Sequence, residues 1–240
     1  MTRSRTVDLV SLAAIVSVAL ALRLFGLDWD HGHHLHPDER FLSIVLTQIQ
    51  APPDFATYFD PVTSPYNPFN HGIDFFVYGT LPLFLVDLLS SIFGMQGYDK
   101  TYLLGRALSA AMDTGTVVLV YLIGRQLITG RSALLAALLA ALAVHSIQLA
   151  HFFTVDTFST FFSTAALLFL VRYADRRRWP DLIMLGIASG MAVACKLSAG
   201  LLFVMIAIWW IVQGWRGHQL RWGVGDATKW SAQGALVIAI

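Results

Sequence analysis

Charged residues are scarce in this sequence. They occupy 13% of its 240 positions, whereas hydrophobic residues occupy 56%. Soluble domains carry about 25% charged residues, so the composition indicates a polytopic membrane protein instead. The net charge of +1 gives no electrostatic basis for nucleic acid as a partner. The single cysteine, Cys195, excludes an internal disulfide framework and a cysteine-based metal site, and no zinc-finger or Walker pattern occurs.

Long apolar runs divide the chain into predicted membrane spans. The first, Val7 to Leu27, follows two arginines and exceeds the roughly 20 residues that cross a bilayer. A cleaved signal peptide is the alternative, because Ala19-Leu20-Ala21 resembles a cleavage site. Further spans are predicted at Tyr102–Ile123, Ser132–Phe153, Thr157–Val171, Leu182–Ala194 and Leu201–Val212. Another apolar run begins near Ala227, so we expect residues 1–240 to be the N-terminal part of one transmembrane domain whose C-terminal remainder is absent.

The segment Gly72–Phe93 decides the topology. It is apolar, but it contains Asp74 and Asp87 as well as Gly79 and Pro82. If it does not cross the membrane, every basic turn falls on the cytoplasmic side, as the positive-inside rule requires. These turns carry Arg3, Arg5, Arg125, Arg131, Arg172, Arg176, Arg177, Arg178, Arg216 and Arg221. We therefore predict interfacial helices in Gly72–Phe93, within a first outer loop of about residues 28–101.

An acidic pair stands in this outer loop, in the sequence His36-Pro37-Asp38-Glu39-Arg40. Pro37 suits the first turn of a helix, which we predict to run to about Gln50, and acidic residues there are favoured by the helix dipole. Adjacent helical residues point about 100° apart, so Asp38 and Glu39 cannot share one task. The pair either takes part in chemistry or merely caps the helix.

The same topology brings Asp156 and Lys196 to the outer face. Ionisable residues at membrane depth are costly and are functional candidates by default. Asp156 either serves the site or is the N-cap of the next helix. Lys196 either holds a lipid phosphate or extends to the interface with no further role. Arg106 and Asp113 lie on one face of a predicted helix and could simply neutralise each other.

Histidines are concentrated just before the acidic pair, at His31, His33, His34 and His36. Such a cluster could bind a divalent metal, with His34 and His36 as the ligands. The alternative is a solvated loop that binds metal only adventitiously, since no HExxH-type order is present.

Several motifs occur in an order that resembles the GT-C superfamily of membrane glycosyltransferases. The similarity extends over essentially the whole chain, and it is greatest to the protein O-mannosyltransferase and aminoarabinose transferase branch. Its motifs are Asp38-Glu39, Val77 to Leu83, Gly105-Arg106, Gly124 to Leu127, Thr154 to Phe158 and Gly186 to Lys196.

This resemblance implies an all-α, multi-pass enzyme of a bacterial or archaeal plasma membrane, with its active face outward. It would move a mannose-like hexose or a pentose, with inversion, from a polyprenyl-phosphate carrier to a hydroxyl of a protein, lipid or glycan. Asp38 would be the general base, and Glu39 and Asp156 would assist it. Three cations would bind the donor phosphate: Arg40, Arg106 and Lys196. A divalent metal cofactor stays open.

Two other classes compete with this reading. A secondary transporter or lipid-sugar flippase would also bury charges, but such proteins often show broken helices in two repeated halves, and no internal repeat is visible here. A non-catalytic membrane scaffold gives no reason for acids and cations to collect on one face. The sequence therefore favours the enzyme.

Overall fold

The fold is all-α, as predicted. A computed structural model describes residues 3–218, and every regular element within them is helical. The helices are α1 (Arg3–Leu24), α2 (Pro37–Gln48), α3 (Phe55–Phe59), α4 (Leu81–Phe93), α5 (Tyr98–Leu127), α6 (Gly130–Ala141), α7 (Val144–Ala150), α8 (Val155–Arg176), α9 (Trp179–Cys195) and α10 (Leu201–His218). Short 3-10 turns occupy Pro68–His71 and Leu197–Gly200. Arg221 and the apolar run near Ala227 lie outside the described residues.

Most predicted spans correspond to helices. Four described segments are long and apolar enough to cross a membrane: Thr6–Leu24, Tyr98–Leu127, Val155–Arg176 and Leu197–Trp215. The predicted span Ser132–Phe153 is not one straight helix, because α6 and α7 are bent by 55° at the break between them. The pair would count as a fifth span. The predicted span Leu182–Ala194 falls within α9, whose 17 residues are short for a bilayer.

Arg23, at the end of α1, stabilises the bend between α6 and α7. The last carbonyls of a helix lack partners within it. The Arg23 guanidinium donates to two of them, at 3.0 Å to Ala141 O and 3.4 Å to Ala140 O. Its Nε also lies 2.6 Å from a carboxylate oxygen of Asp113. The predicted pairing of Asp113 with Arg106 is therefore wrong, because an arginine on a different helix reaches Asp113.

The segment predicted to hold interfacial helices is only partly helical. Residues 72–80 are irregular, and α4 begins at Leu81 with Pro82 in its first turn. Pro82 needs no backbone N–H there, which suits a helix start. At 13 residues, α4 is about 20 Å long, shorter than the roughly 30 Å of a hydrocarbon core. It cannot span alone, and its interfacial orientation stays a prediction.

The two ends of the helix bundle differ in chemistry. At one end, Arg125 near the end of α5 lies 3.4 Å from Asp8 near the start of α1, and it lines a cavity together with Arg176 of α8. We call this the arginine end. At the other end, the carbonyl of Leu27, just after α1, accepts a hydrogen bond from Arg106 near the start of α5. Helices α1 and α5 therefore run antiparallel, and the acidic outer loop lies away from the arginine end.

Candidate active site

Asp38 and Glu39 lie in the first turn of α2 and enter different surroundings. The helix begins at Pro37, as predicted, with His36 as its N-cap and no side-chain capping bond. Neither acid therefore serves as a cap. Asp38 is half-buried, whereas Glu39 is fully buried. The rotation of about 100° between neighbouring helical residues separates the two carboxylates, as the sequence predicted.

Glu39 and Arg106 form a buried ion pair. Arg106 Nε lies 2.8 Å from Glu39 Oε2, and Nη2 lies 2.6 Å from Oε1, so the contact is bidentate. Arg106 Nη2 also donates to Asp30 at 2.9 Å, and Nη1 donates to the carbonyl of Leu27 at 2.8 Å. Every nitrogen of the guanidinium is engaged, and both side chains of the pair have no exposed surface.

This network also holds the turn before α8. The backbone N–H of Phe153 donates to Glu39 Oε2 at 2.8 Å, and the Phe153 ring packs on Gly105, where any Cβ would collide with it. The predicted roles were catalysis for Glu39 and phosphate binding for Arg106. The geometry favours positioning roles for both, because a substrate would reach them only if several buried hydrogen bonds broke.

Asp156 and Lys196 form a second, accessible pair. Lys196 Nζ lies 2.6 Å from Asp156 Oδ1, and the two side chains are 38% and 35% exposed. Asp156 belongs to the first turn of α8, whose N-cap is Thr154, so the N-cap reading of Asp156 is wrong. Lys196 directly follows the last residue of α9. The structure thus brings together two predicted site residues from distant parts of the chain.

Tyr78 links Asp38 to this pair. Burial, a hydrogen bond with Asp38 and the charges of Asp38 and Asp156 raise the pKa of Tyr78 to about 12. The hydroxyl therefore stays protonated near neutral pH and donates to Asp38. In the sequence, Tyr78 stands out only as part of the amphipathic stretch Val77 to Leu83. No periodicity marks its role, because the contact joins two separate segments of the outer loop. Together Asp38, Tyr78, Asp156 and Lys196 form what we call the acid–lysine cluster.

Gly79 fixes the loop that carries Tyr78. Its N–H donates to the carbonyl of Cys195 at 2.9 Å, so the loop is tied to the end of α9 beside Lys196. The backbones approach so closely that a Cβ on Gly79 would stand 2.6 Å from the Cys195 carbonyl carbon and closer still to Ala194. Only glycine fits this crossing without displacement of one backbone segment.

We expect Gly79→Ala to displace Tyr78 and to reduce activity by about a hundredfold, the scale of loss that a 1 Å misplacement can cause. The added methyl meets backbone atoms, which cannot swing aside as a flexible side chain would. Steady-state transfer rates of the purified protein measure the effect. Gly200→Ala is the matched control, since nothing lies within 4 Å of its Cβ position. Equal activity of both variants would show that the crossing does not position the site.

Arg40 and the histidines are placed outside the acid–lysine cluster. Arg40 stands two residues after Asp38, about 200° around α2, and its Nε donates to the carbonyl of His34 at 3.1 Å. The His34 ring packs 4.1 Å from Tyr98, and burial lowers the pKa of His34 despite nearby carboxylates. The His36 ring lies 4.4 Å from Phe152. Within residues 3–218, no three His, Cys, Asp or Glu side chains are arranged to hold a metal ion.

The acid–lysine cluster has the groups that a transfer to an alcohol needs. A half-buried carboxylate, Asp38, can accept a proton from a hydroxyl that approaches within hydrogen-bond distance. A partly exposed ammonium, Lys196, can stabilise negative charge on a leaving group. Asp156 is the partner of that ammonium in the structure.

A known protein family matches more than half of the chain. The family model described as dolichyl-phosphate-mannose-protein mannosyltransferase matches residues 80–228. The matched region includes Arg106, Asp156 and Lys196, and the acidic pair of α2 precedes it. No curated protein matches the chain significantly.

Proposed function

The chain belongs to the dolichyl-phosphate-mannose-protein mannosyltransferase family, and from this premise we propose that Asp38 is the general base of its transfer reaction. The family makes the protein a membrane glycosyltransferase of the GT-C type. The donor that we propose is a mannose-like hexose or a pentose on a polyprenyl phosphate, and the acceptor is a hydroxyl outside a bacterial or archaeal plasma membrane.

The proposed step is a single displacement. A carboxylate oxygen of Asp38 takes the proton of the acceptor hydroxyl while the acceptor oxygen forms a bond to the anomeric carbon. The bond from that carbon to the phosphate oxygen breaks, and the polyprenyl phosphate leaves with the electron pair. Attack from the side opposite the leaving group inverts the anomeric centre. Lys196 neutralises the charge that develops on the phosphate.

One observation carries this assignment. Asp38 is the partly exposed acid of the α2 pair, and it interacts with Tyr78. The next residue, Gly79, donates its N–H to the carbonyl of Cys195, which directly precedes Lys196 of the Asp156–Lys196 pair. Its neighbour Glu39 neutralises the buried Arg106, so the two adjacent carboxylates divide positioning and chemistry between them. The cluster also lies away from the arginine end, which the positive-inside rule assigns to the cytoplasm.

A transporter remains the second candidate because of the bend between α6 and α7. Broken helices line the substrate sites of many transporters. Here, however, the carbonyls at the break are bonded to Arg23, which is itself paired with Asp113. The accessible Asp156–Lys196 pair lies instead at the outer-loop end of α8 and α9. The arrangement therefore favours chemistry at a membrane surface.

Replacing Lys196 by glutamine is expected to raise the KM for the lipid-phosphate donor by about tenfold to a hundredfold, which is the value of a charge-assisted hydrogen bond. The KM for the acceptor should stay unchanged. The fold should also persist, because a partly exposed ion pair contributes little to stability. Lys100→Gln, which removes an exposed lysine at the start of α5, is the control. A wild-type KM for the donor in the Lys196 variant would remove this residue from the phosphate site.

A further inference from the structure

A second cavity opens in the outer loop beside the acid–lysine cluster. Its volume is about 550 Å³, and aromatic rings form most of its wall. The rings include Tyr58, Phe59, Tyr66, Phe69, Tyr78 and Phe84. Tyr78 therefore belongs both to the acid–lysine cluster and to this cavity: its hydroxyl interacts with Asp38, and its side chain lines the cavity. We call this cavity the aromatic cleft.

The cleft is preformed. The rings of Tyr66 and Phe84 are stacked, with centroids 4.2 Å apart and planes inclined by 13°. Tyr58 meets both of them edge-on, at 6.5 and 6.1 Å. The Tyr66 hydroxyl donates to Asp87 at 2.8 Å, which ties this wall to α4. Such a rigid site avoids much of the entropy cost of ordering side chains when a ligand binds.

The polar groups of the cleft are neutral. No Asp, Glu, Lys, Arg or His lines it, so a charged ligand would lose its hydration without gaining a counter-charge. Three hydroxyls remain available, those of Tyr58, Ser64 and Thr80, since none of them bonds to another group in the described part of the chain. Ser64 is 4% exposed and lines the cleft.

We propose that the aromatic cleft binds a neutral carbohydrate, which is the acceptor of the sugar transfer. This inference rests on the proposed function and deepens it. Aromatic faces suit the apolar C–H faces of a sugar ring, and the free hydroxyls suit its alcohol groups. The isoprenoid chain of the donor fits less well, because it would cover Ser64 and Thr80 and leave their hydroxyls without partners.

The shared residue connects binding with chemistry. A sugar in the cleft lies against Tyr78, whose hydroxyl is hydrogen-bonded to Asp38. An alcohol at the inner edge of that sugar can therefore reach the carboxylate that takes its proton. The cleft would orient the acceptor, while Lys196, the partner of Asp156, would hold the donor phosphate.

Two exposed rings of the lining allow a test with little risk to folding. Phe59 is 74% exposed and Phe69 is 56% exposed. Phe75, which is 72% exposed and does not line the cleft, provides the control. Purified full-length protein would be given polyprenyl-phosphate mannose with maltotriose, with a galacturonate trimer of the same size, or with a neutral serine–threonine peptide. Donor hydrolysis without an acceptor, and quenching of intrinsic fluorescence by maltotriose, would be measured in parallel.

We expect transfer to maltotriose but not to the anionic trimer. Phe59→Ala and Phe69→Ala should each raise the KM for maltotriose by about tenfold, with a smaller effect on kcat, and should weaken the quenching in proportion. Phe75→Ala should have the wild-type KM for maltotriose and the wild-type quenching. Preference for the peptide or the anionic trimer, or unchanged maltotriose affinity in both lining variants, would overturn the inference. Absence of donor cleavage would instead overturn the proposed function, and saturable quenching would still test the cleft.

Discussion

Asp38→Asn is expected to lower sugar transfer by about a hundredfold to ten-thousandfold, the usual contribution of a general base. Asparagine has the same shape as aspartate and keeps an oxygen for the Tyr78 hydroxyl, but it cannot take the acceptor proton. The thermal midpoint of unfolding should hardly change, since Asp38 is half-buried and forms no salt bridge within residues 3–218. Transfer assays on the full-length protein, with the thermal midpoint measured on the same sample, check both expectations.

Asp74→Asn is the control for this experiment. Asp74 is an exposed carboxylate of the same outer loop, close in sequence to Tyr78, so its replacement removes equal charge from the same region. This variant should transfer sugar at the wild-type rate. Retention of most activity by Asp38→Asn would take the general-base role away from Asp38.

Arg106→Met should destabilise the protein by about 3–5 kcal/mol, because it leaves buried carboxylates without their cation. Glu39 and Asp30 both bind this guanidinium, and both are buried. Methionine has a similar length, so lost packing contributes little. The stability of Arg106→Lys should lie between that of Arg106→Met and that of the wild type, since lysine keeps the charge but loses the bidentate contact. Thermal midpoints in one detergent rank the three proteins.

Arg125→Met is the comparison on the same helix. Arg125 pairs with Asp8 at 3.4 Å and its side chain is 40% exposed, so its loss should cost less than about 1 kcal/mol of stability.

The KM for the donor distinguishes the positioning role of Arg106 from the phosphate-binding role that was predicted from the sequence. A stable Arg106→Met protein with a strongly raised donor KM would restore the phosphate-binding role and contradict the positioning role.

Local features of the fold followed from the sequence. Pro37 predicted a helix start, and α2 begins there. Interfacial helices were predicted in Gly72–Phe93, and α4 lies in its second half. The positive-inside rule grouped Asp38, Asp156 and Lys196 on one face. In the structure, Asp156 and Lys196 lie 2.6 Å apart. Asp38 interacts with Tyr78, whose pKa is also raised by the charge of Asp156. Residue type and chain order were sufficient here, because helix starts and span topology depend on local pattern.

Side-chain pairing did not follow from the sequence. Arg106 and Asp113 share a helix, yet Arg106 binds Glu39 and Asp113 binds Arg23. An arginine side chain is long enough to reach a neighbouring helix, and which helices are neighbours depends on packing across the whole bundle. The role of Tyr78 was missed for the same reason. The bend between α6 and α7 was also missed, since the residues 132–153 are apolar throughout most of their length.

The adjacent acids of α2 lie in two different environments. Glu39 forms an ion pair with the buried Arg106 of α5 and accepts a hydrogen bond from the backbone N–H of Phe153. These contacts connect the outer loop to α5 and to the turn before α8. The loop with Tyr78 and Gly79 approaches from the other side and is tied to the end of α9. Two separate anchors thus hold the acid–lysine cluster in a single arrangement.

The most direct measurement follows a radiolabelled polyprenyl-phosphate sugar incubated with the purified full-length protein in sealed vesicles. We predict that polyprenyl phosphate is released in step with sugar transfer, that the new glycosidic bond has the inverted anomeric configuration, and that Asp38→Asn stops both. Movement of the intact donor across the membrane without cleavage, or retention of the anomeric configuration, would contradict the account.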